Sequence, residues 1–426
     1  MGTVVPGRDE AVQGMLAGLL AESHLMPFEL LPSRVADHAA RAGFGDVRIY
    51  LGDLQRDVLR LLTGDGRDAA QGAPEDAREL TVEGTVAGRA YMHGEIMAAG
   101  GARPGSYGWW VPLLDGTERL GVLHLTSATD DARVRRDMYA LASLVAMLVV
   151  GHRDVSDSYA RLARVKPMNV AAEMQWTLMP PRTYADGRVV VSAVMEPAYE
   201  VSGDAYDYAT ADDVVHLSMF DAMGHDTAAG LTANLAVGAC RNRRRQGTRL
   251  PDLGNSIERV LLEQFGSSRY VTGVLADLNT ATGMLTWTNH GHQPPILIRD
   301  GRWSTLLRCP PTHPMGTNLH LPTIVCHEQL QPGDRLVLYT DGITEARTAD
   351  GREFGLSRFT DFLIRHHADH LPVPETLRRL MRAVLRHHDD HLRDDASILV
   401  CEWLGPGSHP PRAAPLAGIP GPCGQD

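Results

Sequence analysis

Apolar positions along the chain fall into two textures. From about residue 9 to 40 they recur at helical spacing, with Met15, Leu19 and Leu20 on one stripe, and predict a helix. Short strand-like runs follow: DVRIYL at 46–51 and RDVLRLL at 56–62. After a Gly/Asp/Ala-rich loop come TVEGTVAGRAYMHGE at 81–95 and WWVPLL at 109–114. Asp115-Gly116 then joins WWVPLL to LGVLHL at 120–125, a strong hairpin signal. A long helix is predicted from about 130 to 152. A second helical stretch, 156–177, contains Pro167, so a kink or two shorter helices is expected before MPPR at 179–182.

From Val189 the pattern changes to short β-type runs at 189–195, 214–220, 271–279, 284–289, 335–340 and 396–403. Helical runs at 227–245, 253–265, 356–367 and 373–388 sit between them. Strands interleaved with helices predict an α/β domain of mixed order, two sheets covered by helices. The Pro- and Gly-rich tail after Trp403 is expected to be disordered.

Composition narrows this picture. The 426 residues suffice for two or three domains, and 43% hydrophobic with 22% charged is ordinary globular usage. A net charge of -11 argues against a general nucleic-acid binder and suits a protein that holds cations. The five cysteines are an odd number with no close pair, so neither a disulfide framework nor a zinc knuckle is expected, and a reducing cytoplasm fits. The most apolar run, 140–150, is too short for a membrane span, and the N-terminus lacks the order of a signal peptide.

The candidate chemistry lies in aspartates at strand ends. Asp204 and Asp207 come soon after the first strand of the second half. Asp221 and Asp341 each directly follow a strand, and Asp394 and Asp395 directly precede one. Carboxylates converging on one sheet edge repel unless a cation sits between them. Oxygen ligands of this kind suit Mg²⁺ or Mn²⁺ rather than zinc or copper. Gly203, Gly224 and Gly342 beside them permit tight turns. The RNRRR run at 241–245 reads as a solvated face at a helix end. The His-rich runs at 365–370 and 386–391 read as helix ends, because adjacent His pairs do not easily face one ion. Trp109 and Trp110 read as strand and core residues.

Five runs match one family in order. They are EPAYEVSGDAYDY (196–208), FDAMGHDTAAGLTA (220–233), TNHGHQPPIL (288–297), LVLYTDGITEARTADGREFG (336–355) and RDDASILVCEW (393–403). Together they resemble the SpoIIE-like branch of the PPM, or protein phosphatase 2C type, metal-dependent serine/threonine phosphatases. MQWTLMPPR at 174–182 is similar to the family's lead-in helix. The EGTVAGRA run, the WWVPLL–DG–LGVLHL hairpin and the helix after it resemble a GAF sensor domain. The resemblance implies a GAF-like domain at 1–155, a helical linker at 156–181 and an αββα sandwich phosphatase at 182–403, with a tail at 404–426.

It further implies two Mn²⁺ or Mg²⁺ ions held by Asp204, Asp221, Asp341 and Asp394, with the Ala222 carbonyl as a further ligand. Asp395 replaces Asp394 if the register differs by one. The implied reaction is hydrolysis without a covalent enzyme intermediate, by a water activated between two cations. The implied partner is a phosphoprotein, a small anti-sigma-factor antagonist, with a small molecule as ligand of the GAF-like domain, and a homodimer as the assembly. His225 and His292 are expected to shape loops rather than bind metal. The chain departs from the family at Ser202 and Ala222, where glycine is common, and at Asp226, which is expected to cap a helix. No counterpart of the phosphate-gripping arginine of other branches is found. The competing class is a non-catalytic adaptor that retains the fold, or a small-molecule sensor.

Overall fold

The computed structural model describes residues 7–64, 78–99, 105–348, 350–369, 371–388, 392 and 394–407. The predicted disordered tail beyond 407 lies outside them, as do most of the Gly/Asp/Ala-rich loop, His370 and His391. The described residues form two compact units that part between Lys166 and Pro167.

In the first unit the helix expected over 9–40 is two: α1 (Arg8–Ser23) and α2 (Leu31–Arg41). Pro27 is the reason. It takes an extended conformation that no helix continues, and a short 3₁₀ turn at Phe28–Leu30 restarts the chain. Then come β1 (Phe44–Gly52), β2 (Val58–Leu61) and β3 (Glu79–Thr81). The 81–95 segment, read as strand-like, is instead mostly α3 (Val86–His93). Thr85 caps it by accepting from the Gly88 N–H, and Gly94 ends it in the left-handed region. A side chain at Gly88 would collide with the Val82 carbonyl, so a glycine seats this helix.

The unit continues with β4 (Met97–Ala99), β5 (Tyr107–Asp115), β6 (Glu118–Ser127), α4 (Ala132–Arg153) and α5 (Asp157–Ala163). Its antiparallel sheet runs β3-β2-β1-β6-β5-β4, and the predicted hairpin is β5–β6. The apolar run at 140–150 is the buried side of α4, with Leu141, Val145 and Val149 in the core. Among the described residues no single helix is long and apolar enough to cross a membrane. Trp109 is a core residue whose indole N–H donates to Ser127, and Trp110 packs on Tyr50 and His124. Ser158 donates to Glu29, and the Arg60 guanidinium donates to the carbonyls of Arg161, Leu162 and Arg164, so α5 is held by this unit.

The second unit opens with α6 (Val170–Leu178), capped by Asn169. The helical stretch over 156–177 is therefore two short helices. Next come β7 (Thr183–Ala185), β8 (Val189–Glu196), β9 (Asp204–Ala211) and β10 (Val214–Ala222). They lead to α7 (Thr227–Arg245) and α8 (Leu250–Phe265), then β11 (Val271–Asn279) and β12 (Met284–His290). After these are β13 (Ile296–Arg299), β14 (Trp303–Leu306), β15 (Cys326–Gln329) and β16 (Arg335–Tyr339). Last come α9 (Asp341–Thr344), α10 (Leu356–Ala368), α11 (Val373–His387) and β17 (Ala396–Trp403).

One antiparallel sheet runs β15-β12-β11-β10-β9 and the other β14-β13-β16-β17-β8-β7. Val191, Ala193 and Leu399 from one sheet share a core with Tyr206, Leu217 and Met219 from the other. Helices α7 and α8 pack on the first sheet, and α11 packs on β8 and β17 of the second. This is the αββα sandwich. It explains the unbroken apolar text of β8: a central strand covered on both faces alternates nothing.

Two expectations fail here. Cys309 and Cys326 form a disulfide, because the chain after β14 returns to lay Cys326 on edge strand β15 beside Cys309. A separation of 17 residues gives no hint of that return. In RNRRR, Arg241 and Arg244 do not form a solvated face. They turn inward to the buried Asp207.

Candidate functional site

The acidic residues meet because of strand register. Asp221, near the end of β10, pairs directly across the ladder with Asp204 at the start of β9. On the facing sheet Asp341 follows β16 and Asp395 precedes β17, and these two strands are neighbours. Two hydrogen bonds then stitch the sheets at this edge. The Thr340 hydroxyl donates to Asp204 Oδ2 at 2.7 Å, and the Gly203 N–H donates to Asp395 Oδ2. Thr340 is itself fixed, since its Oγ1 accepts from the Ser397 N–H at 2.9 Å.

Glycine is required at two of these turns. A Cβ on Gly203 would lie 2.3 Å from the Gly224 carbonyl oxygen, and one on Gly342 would lie 2.0 Å from that of Asp395. The departures from the family pattern are accommodated. Ser202 is fully buried, and its Oγ accepts from the Asp204 N–H at 2.9 Å. Ala222 ends β10 as an ordinary strand residue. Asp226 caps α7 by accepting from the Ala229 N–H, as expected.

Electrostatics separates this cluster from ordinary turn aspartates. Burial, then the charges of Asp221 and Asp395, hold the Asp204 carboxyl well above the usual carboxylate range. Burial and the charges of Asp341, Asp394 and Asp395 push Asp221 up to about 7. Burial is also the largest cause for Asp395, at about 6, where the Gly203 N–H pulls the other way. Asp341 is raised by burial and by Asp394. Asp394 is exposed, and its Oδ1 accepts from the Asp395 N–H. The structure thus brings together Asp204, Asp221, Asp341, Asp394 and Asp395, with the Ala222 backbone beside them. Among the described residues no group of three or more acidic, histidine or cysteine side chains is arranged, as it stands, to hold a metal ion. What exists is a set of mutually repelling carboxylates at the meeting of two sheets, a donor set that fits a hard divalent cation.

The neighbouring groups position this set. His292 bridges the sheets, with Nδ1 2.9 Å from Thr272 Oγ1 and Nε2 3.1 Å from the Tyr339 carbonyl. Burial pushes its pKa down to about 4, so it stays neutral and shapes the loop. His225 is exposed. His366 bonds its own helix and stacks on Phe362, and His387 contacts Arg358, so the His-rich runs do not gather into a site among the described residues.

Two contributors escaped the sequence. The Gln175 amide on α6 donates to the carbonyls of Ser202 and Asp204 and accepts from the Ser202 N–H, clamping the loop before β9. Thr340 was visible only as the residue before Asp341. The signal for Gln175 was its place in MQWTLMPPR.

Comparison with known proteins gives the following. Residues 211–404 match the model of a family described as Stage II sporulation protein E (SpoIIE). The match begins after Asp204. The phosphoserine phosphatase RsbU of Bacillus subtilis is 23% identical over 239 residues, covering 55% of this chain and 69% of that protein. Protein IcfG of Synechocystis is 25% identical over 206 residues, but the match spans only 32% of its length. Among solved structures, the RsbU and RsbW domains of a Mycobacterium tuberculosis protein align with a TM-score of 0.47 at 22% identity. That alignment covers 54% of this chain and 64% of the other. The SiaA-PP2C domain of Pseudomonas aeruginosa aligns with the same TM-score at 21% identity, covering 54% of this chain and 93% of the other.

Proposed function

We propose that the second unit, which carries a SpoIIE-family domain, is a metal-dependent protein serine/threonine phosphatase. The observation that supports this most is the set of carboxylates facing one another across the sheets, in which Asp204, Asp221, Asp341 and Asp395 are raised by burial and by their neighbours' charge. Asp204, Asp221, Asp341 and Asp394, with the Ala222 carbonyl, would hold Mn²⁺ or Mg²⁺. Asp395 is engaged by the Gly203 N–H, which favours Asp394 as the ligand of the RDD run. When bound, the cations supply Lewis-acid activation of water and neutralise charge on the phosphoryl group.

The chain's own part is orientation. Thr340 holds one oxygen of Asp204, Gln175 and Ser202 hold its backbone, and the register of β9 against β10 fixes Asp221 beside it. The substrate is a phosphoserine or phosphothreonine, in keeping with the similarity to a phosphoserine phosphatase, and the family resemblance implies that it lies on a small regulatory protein of the anti-sigma-factor antagonist class. The first unit is the regulatory part, a GAF-like sensor, and residues 182–403 form the phosphatase domain. The test is phosphate release from a phosphoserine peptide by the full chain, stripped with EDTA and then given Mn²⁺. Release that depends on the added metal is expected. Release that survives stripping, or none with Mn²⁺, contradicts the reading.

A further inference from the structure

A cavity of about 330 Å³ opens directly beside the carboxylate edge, lined by Gly342, Glu345, Ala346, Arg347, His388 and Asp394 among others. Asp394 and Gly342 belong to the edge already described, and Arg347 and His388 line the cavity with them, beside Glu345. It falls in the size range of small-ligand sites and suits one phosphorylated side chain. We propose that this cavity receives the phosphorylated residue of the substrate and that Arg347 binds its phosphoryl oxygens. The proposal rests on the phosphatase reading and adds the phosphate-binding group which that reading lacks.

Three observations support Arg347. First, its position is fixed relative to Asp341. The Phe354 N–H donates to the Ala346 carbonyl, the Gly355 N–H donates to the Thr344 carbonyl, and Arg347 pairs with Glu353 in a β-bridge. The arginine is therefore carried on a tied hairpin rooted in the TDG turn. Second, its present partner is replaceable. Arg347 and Glu353 form an ion pair with side chains 50% and 48% exposed. Exposed pairs of this kind are worth about 0–1 kcal/mol, so a phosphoryl dianion can take Glu353's place at little cost. Third, a guanidinium presents a planar fork that matches two phosphoryl oxygens, which an ammonium cannot do.

Glu345 is exposed on the same wall, so the cavity is no general anion trap. An anion gains there only by reaching Arg347. His388, the buried residue that ends α11, is also part of the lining.

The experiment compares the full-length wild type with Arg347→Ala, Arg347→Lys and Glu353→Gln. Each is assayed for kcat and KM on a phosphoserine peptide and on p-nitrophenyl phosphate, for inhibition by inorganic phosphate, and for Mn²⁺ affinity. Loss of a charge-assisted bidentate contact should lower kcat/KM by about 10- to 100-fold on both substrates in Arg347→Ala. Phosphate inhibition should weaken by a similar factor, with Mn²⁺ affinity unchanged. Arg347→Lys should recover part of the loss, and Glu353→Gln should lower KM. An Arg347→Ala variant within twofold of wild type on both substrates and on phosphate inhibition overturns the proposal and leaves the phosphatase reading standing. A loss explained wholly by weaker Mn²⁺ binding also overturns it. A wild type that hydrolyses neither substrate with Mn²⁺ overturns both.

Discussion

Asp204 and Asp207 lie three residues apart on β9, and both are buried, at 2% and 1% exposure. The odd spacing puts them on opposite faces of the strand. Asp207 faces α7 and meets two guanidinium groups: Arg241 at 2.7 and 2.9 Å and Arg244 at 3.0 Å. Asp204 faces the other sheet and meets the charges of Asp221 and Asp395, with the Thr340 hydroxyl as its hydrogen-bonding neighbour. One buried acid is neutralised by the fold itself, and the other is left in want of positive charge. Burial alone therefore does not mark a functional aspartate. What its neighbours lack in countercharge does, because an arrangement that costs stability persists only where something bound relieves it.

The contrast is tested most severely by substitution on each side. Asp221→Asn should lower metal-dependent turnover by more than about 100-fold, the upper range for losing even a supporting group of a metal site. The same variant should melt no lower than wild type in the absence of metal, because it removes a repelling charge. Turnover assays paired with thermal melts decide this. Asp207→Asn should do the reverse. Leaving Arg241 and Arg244 buried against a neutral group should cost about 3–5 kcal/mol of stability in urea unfolding. Activity per folded molecule should be retained.

A subtler effect concerns pH. Folding raises Asp221 to about 7 and Asp395 to about 6, above their unfolded values of about 4. The native state therefore holds more protons than the unfolded chain between those limits. Their contribution to stability is fully present below pH ~4 and is lost as pH rises through about 6 to 7. Metal-free protein should show this decline in thermal melts across pH 5 to 8. Mn²⁺ should restore stability most at pH 8, and Asp221→Asn should flatten the slope. The smallest effect is expected for Ser202→Ala. It removes one acceptor from the Asp204 N–H and should cost about 1 kcal/mol, with turnover changed only a few-fold.

The same contrast shows how far the sequence could be read. The αββα core was legible because its strands are continuous apolar runs and its aspartates sit where those runs end. β9 carries no such signal, since DAYDYATA places two acids in a buried strand, and what each of them faces comes from elsewhere in the chain. RNRRR carries no local sign of its role for the same reason. Its partner Asp207 is 34 residues from Arg241, and nothing local marks the pairing. Cys309–Cys326 and Gln175 also depend on returns of the chain that periodicity does not encode. In the first unit, Pro27 and the Thr85 and Gly94 caps overrode the apolar pattern, so one expected helix became two and one expected strand became α3.

The most direct test of the central claim is a calorimetric titration of Mn²⁺ into metal-stripped protein at pH 6.5, in two buffers of different ionisation heat. Cation binding requires carboxylates that the metal-free fold keeps partly protonated at that pH, so wild type should bind Mn²⁺ with net proton release. Asp221→Asn should bind far more weakly. Wild-type binding without proton release, or equal binding by Asp221→Asn, would contradict the assignment of this edge as the metal centre.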